Sequence, residues 1–166
     1  PSVQKRTKEG WHGFYPHASK DPAELRYEFL KLMAQEIDFS ARVVVGRKIP
    51  AIYQQRHNEQ PREFYADLMS HLLKYSGKID PLILDVAERG SSTSNLNLQH
   101  AVDIAQQRSR RGTVTHELRN TTKFNVQPYD HEILLALADY SLWTVQRVYE
   151  KGDEKFFGLL EPKIVL

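Results

Sequence analysis

A chain of 166 residues, 40% hydrophobic and 27% charged, is long enough for one domain with a real core and too short for two comfortable ones. Zero cysteines exclude a disulfide framework and any thiolate metal site and fit a reducing, cytoplasmic setting. The longest apolar run, Ile133 to Ala138, falls far short of the roughly 20 residues of a membrane span, no signal-peptide core follows Pro1, and a net charge of +2 permits nucleic-acid binding without arguing for it.

The polar, basic residues 1–9 read as an extended lead-in, and Trp11–His17 as an aromatic strand with Pro16 at an edge or strand end. Asp21 is placed as an N-cap, with Pro22 at the first helical position and Glu24 three residues after the cap. Leu25, Phe29, Leu32, Met33 and Ile37 share one face of the helix that follows, which ends near Asp38. Arg42–Lys48, rich in valine, predicts a strand buried on both faces. Tyr53–Gln60 reads as a loop. Pro61 opens a second helix carrying Phe64, Tyr65, Leu68, Met69, Leu72 and Leu73, closed by Ser76-Gly77.

Pro81–Glu88 predicts another buried strand, followed by the loop Arg89–Ser94. Asn95 is expected to cap a third helix bearing Leu98, Ala101, Val102 and Ala105, which ends in Arg108-Ser109-Arg110-Arg111-Gly112. Within the turn-rich stretch Thr113–Pro128, Lys123–Val126 is the best short strand. The last helix runs from about His131 to Lys151 and stops at Gly152. Strands alternating with helices predict an α/β fold with parallel pairing in one domain spanning 1–166.

Two carboxylates stand out by position. Asp139 interrupts an apolar helical run, so it must find a partner, shift its pKa or bind a metal. Asp85 lies towards the C-terminal end of an apolar strand, the edge at which α/β sheets place ligands. Acidic side chains converging from different elements suit Mg²⁺ or Mn²⁺, which need few protein ligands, and a pair of such ions can hold both reacting oxygens of a phosphodiester. The ordinary alternatives are a strand-end turn former for Asp85, and an ion pair or a place at the helix rim for Asp139.

Among the histidines, His12, His116 and His131 show no zinc spacing; His17, between a strand and a helix start, suits phosphate polarisation or acid–base work. Lys48, ending its strand, suits a scissile phosphate or is an ordinary charged terminus. Arg108, Arg110 and Arg111, with Lys123 and Arg119, suit nucleic-acid backbone phosphates, although basic residues also stabilise a helix C-terminus without any ligand.

The stretch Leu137-Ala138-Asp139-Tyr140-Ser141-Leu142-Trp143, continuing to Glu154, resembles the closing helix of domain-of-unknown-function family 3800, bacterial and phage proteins regarded as ribonuclease H-like. Phe14-Tyr15-Pro16-His17-Ala18 resembles that family's Phe-His-Ala element with altered spacing, and Leu25-Arg26, Val43–Lys48 and Leu82–Asp85 follow in the expected order. The resemblance implies a three-layer mixed sheet flanked by helices and a metal-dependent nuclease. Asp85 and Asp139 would hold Mg²⁺ or Mn²⁺, Lys48 and His17 would contact the phosphate, and water would be the nucleophile. The family's opening Asp-Glu-Ser-Gly strand has no counterpart in this chain. The resemblance therefore implies a polypeptide beginning after the first strands, its sheet completed by a missing N-terminal segment or a partner chain; the Pro1 start then reads less like Met removal, which the residues alone leave equally open. The competing expectations are a non-catalytic nucleic-acid-binding or scaffolding module and a subunit that completes its sheet with a partner.

Overall fold

The computed structural model describes residues 16–74, 81–110, 122–128 and 132–165, with only the backbone of 109 and 110. In chain order these form α1 (Ala23–Gln35), β1 (Ala41–Arg42), α2 (Pro50–His57), α3 (Pro61–Leu73), β2 (Leu82–Ala87), α4 (Asn95–Arg110), β3 (Thr122–Gln127), α5 (Ile133–Lys151), α6 (Phe157–Leu160) and β4 (Ile164–Val165). The protein is mixed α/β, and its strands pair in parallel, β1 with β4 and β2 with β3, as the alternating pattern predicts. Among the described residues no helix is long and apolar enough to cross a membrane. The chain divides into two compact units, one built from residues up to Val43 and from Pro128 onward, the other from Val44–Gln127.

In the first unit, α5 forms where Ala, Leu and other helix formers run uninterrupted to Gly152, which adopts φ +64° and ends the helix. The amides of Gly152 and Asp153 close that end on the carbonyls of Val148 and Arg147. Three-to-four-residue spacing buries Ala136, Tyr140, Ser141, Thr144 and Val145. Tyr140 packs with Leu30 and Met33 of α1, Leu160 of α6 and Ala18, all fully buried, and Phe29, Ile37, Trp143 and Phe156 close the cluster. Burial of each large side chain contributes about 1.5–3 kcal/mol, so these residues hold α1 and α5 together.

Three expectations change here. Helix α1 ends at Gln35 and starts one residue later than expected, so that Pro22, not Asp21, holds the cap position and no side chain caps the first turn; the Asp21 carboxylate binds other donors. Of the expected strand Arg42–Lys48 only Arg42 is in a strand, the two-residue β1 of Ala41–Arg42 paired with Ile164 and Val165. The bond from the Val43 amide to the Val165 carbonyl continues the pairing, after which residues 43–49 have no regular structure and Val45 to Ile49 are exposed. Of the expected strand Trp11–His17, residues 11–15 lie outside the described residues, and Pro16 and His17 are not in a strand.

In the second unit, α3, α4, β2 and β3 enclose Ala66, Leu73, Leu82, Ala101, Val102 and Ala105, with Met69, Leu84, Ile104 and Phe124 against them. The α4 stripe is buried as its spacing predicts. Its cap is Ser94, whose Oγ accepts the Asn97 amide at 3.3 Å, while Asn95 is the first helical residue. The polar Tyr53–Gln60 stretch is mostly helix: Pro50 opens α2 at the first helical position and Asn58, at φ 48°, closes it. Tyr53 and His57 of α2 pack on Phe64 of α3, with ring centroids 5.6 and 5.2 Å apart. Strand β2 is buried on one face only. Leu82 and Val86 point inward, whereas Ile83 is 56% exposed and Asp85 is exposed.

Candidate active site

Residues 17–21 form a tight turn ahead of α1, in which the amides of Lys20 and Asp21 both donate to the His17 carbonyl at 2.9 Å. Four side chains bind this turn. Asp139 Oδ2 accepts the Ala18 amide at 2.8 Å and lies 3.1 Å from His17 Nδ1. Asp21 Oδ2 accepts the His17 amide and the Tyr140 hydroxyl, each at 2.7 Å. Arg26 donates from a terminal nitrogen to the Ala18 carbonyl at 3.3 Å, while its guanidinium carbon lies 4.9 Å from the Trp143 ring centre. Ser19 Oγ lies 3.4 Å from His17 Nδ1. The helical run that made Asp139 conspicuous also solves its problem: position 139 falls at the rim of the buried face, beside a turn with an amide to offer.

His17 and Asp139 keep 25% and 40% of their side-chain surface in contact with solvent, whereas Tyr140 and Asp21 are buried. Burial, and next the bond to Asp21, push the Tyr140 phenol well above its ordinary range, so it stays a protonated donor. The pair is therefore an accessible imidazole and carboxylate resting on a buried tyrosine–carboxylate support. Asp139 Oδ1 has no hydrogen-bond partner among the described residues. That oxygen suits a hard cation, which can bind through one carboxylate, waters and substrate phosphates. Among the described residues no group of three or more histidine or acidic side chains is arranged to hold a metal ion.

The other expected site residues lie in the second unit. Asp85 sits on the exposed face of β2, where Asn125 and Gln127 donate to its Oδ1 at 3.2 and 3.4 Å and Lys123 is a neighbour on the same face. Lys48 is exposed, with its ammonium 5.2 and 5.4 Å from the ring centres of Tyr53 and Phe64. Arg108 is turned onto Asp67 and Ser70 of α3. The side chain of Arg110, and all of Arg111, Arg119, His12, His116 and His131, lie outside the described residues.

A second polar cluster centres on Asp67. Its carboxylate meets His57 Nε2 at 3.1 Å, the Arg108 guanidinium, and His71 Nε2 at 4.0 Å. Burial alone would raise the Asp67 carboxyl, but the bonds from Arg108 and His57 outweigh it and hold its pKa below the ordinary value. Burial, then the charge of Arg108, lower the His71 pKa against the opposing pull of Asp67. Sequence reasoning missed this cluster and the support role of Asp21 and Tyr140. Two signals were there to read: the i, i+4 spacing of Asp67 and His71, and the placement of Tyr140 one residue, or 100° of helix, from Asp139.

Comparison with protein-family models, with curated proteins and with solved structures found no match.

Proposed function

We propose that the chain carries a divalent-metal-dependent nuclease site of ribonuclease H-like type, acting on nucleic-acid phosphodiesters at the His17–Asp139 pair. The observation that supports this reading is the 3.1 Å approach of these two residues, singled out separately from distant parts of the chain. Asp139 would hold Mg²⁺ or Mn²⁺ through the oxygen that the Ala18 amide leaves open. When bound, such a cation neutralises phosphate charge and makes water a better nucleophile. The chain's own contribution is positional. Asp139 keeps the His17 ring beside the open carboxylate oxygen, where the imidazole can donate to a phosphate oxygen or accept a proton from water. On this reading the parallel β2–β3 pair belongs to a larger, three-layer sheet.

The test is cleavage of end-labelled RNA and DNA with Mn²⁺, by the chain and by its Asp139→Asn and His17→Ala variants. Metal-dependent cleavage lost in Asp139→Asn and reduced about 10²-fold or more in His17→Ala is expected. Unchanged cleavage by Asp139→Asn contradicts the assignment.

A second reading, a non-catalytic subunit that completes its sheet with a partner chain, is favoured by the pairing of β2 with β3 alone among the described residues and by the face of β2 on which Ile83 is 56% exposed. It predicts that Ile83→Lys abolishes association with that partner and leaves the fold intact.

A further inference from the structure

We infer that Asp21 and Tyr140 are positioning residues that fix the main chain of His17 so that its ring meets Asp139, an inference that rests on the functional reading above for its catalytic consequence. Asp21 lies one residue ahead of Pro22, which holds the cap position of α1, so its carboxylate caps no helix amide. It is instead buried, which costs free energy unless good donors replace water. Its Oδ2 finds two, the His17 amide and the Tyr140 hydroxyl, both at 2.7 Å. Tyr140 is fully buried between α1 and α5, with the Phe29 ring centre 4.6 Å away, and has no freedom to follow a moving turn.

Two adjacent amides, of His17 and Ala18, are thus each held by a carboxylate, and the Ala18 carbonyl is held by Arg26. Consecutive residues of one α5 turn act on both: Asp139 directly, Tyr140 through Asp21. With the backbone anchored at three points, the contact with Asp139 restricts rotation of the His17 side chain. Productive geometry in a catalytic pair tolerates errors of well under 1 Å. The Tyr140 hydroxyl donates to Asp21 and not to Asp139, so its hydrogen bond acts on His17 through the position of the turn.

The test compares Tyr140→Phe, Asp21→Ala and Asp21→Asn with the parent chain by NMR of the His17 ring, assigned by difference from His17→Ala, alongside cleavage kinetics with Mn²⁺. The parent is expected to show one sharp ring environment. Tyr140→Phe and Asp21→Ala should shift or broaden it and lower kcat about tenfold with KM changed less than twofold. Asp21→Asn, which keeps an acceptor oxygen, should restore the parental ring signal. If Tyr140→Phe does not fold, judged by far-UV circular dichroism, the two Asp21 variants carry the same comparison. A His17 ring signal unchanged in both Tyr140→Phe and Asp21→Ala overturns the inference. A parent chain that cleaves nothing while its ring signal still responds to these variants removes the nuclease reading and upholds the positioning.

Discussion

The Asp139 carboxylate accepts the main-chain N–H of Ala18, 121 positions earlier in the chain, at 2.8 Å. One hydrogen bond therefore ties the middle of α5 to the turn that carries His17, and it does so with an oxygen that asparagine also possesses. The scaffold role and the charge of Asp139 can be separated on this basis.

Asp139→Ala should leave the Ala18 amide, in a fully buried residue, without its acceptor and destabilise the chain by about 1–3 kcal/mol. Asp139→Asn should lose less than half of that. Urea unfolding of the two variants checks this; equal losses would mean that charge, not the bond to Ala18, is what α5 needs at this position.

Acid should weaken the Asp67 cluster in two stages. His71 has a folded pKa below its unfolded value of about 6.5, so the unfolded chain binds more protons below that pH, and stability falls as pH drops through this window. Asp67 is depressed below about 3.9, so the stability it lends is complete above that value and is lost as pH falls towards its folded pKa. Thermal unfolding between pH 7 and 3 should show both slopes. His71→Gln should flatten the upper window and Asp67→Asn the lower; a variant that changes neither slope contradicts the assignment.

Gly46 marks a close approach. A Cβ there would lie 2.6 Å from Leu68 Cδ2 and 2.8 Å from Phe64 Cζ, and Phe64 is also one of the two rings beneath Lys48. Because both clashing atoms are side-chain tips that can yield, Gly46→Ala should cost about 1 kcal/mol and Gly46→Val about 1–3 kcal/mol in urea unfolding. An unchanged midpoint for Gly46→Val would show that residues 43–49 do not rest on α3.

Much of the fold was legible where one local signal dominates. Pro61 and the stripe to Leu73 mark α3, the Leu98–Ala105 stripe marks the buried side of α4, and Gly152 ends α5. The errors arose where two signals compete. Three consecutive valines at 43–45 read as a strand by propensity, yet a strand needs a neighbour, and the pairing with β4 ends at Val43. The α2 segment looked like a loop because its polar residues hide the few ring contacts, Tyr53 and His57 on Phe64, that hold it. His17 and Asp139 could be picked as chemical types, but the Ala18 amide that holds Asp139 at this turn is a main-chain group, and a main-chain amide leaves no mark in a residue pattern. Asp85 and Asp139, paired in the sequence reading by position and by the resemblance, fall in different units.

The account turns on whether the open oxygen of Asp139 takes a divalent cation. Calorimetric titration of Mn²⁺ into the chain and into Asp139→Asn, both confirmed folded by circular dichroism, tests it most directly. The account predicts saturable binding by the chain and its loss in Asp139→Asn; equal binding by both, or binding by neither, would contradict it.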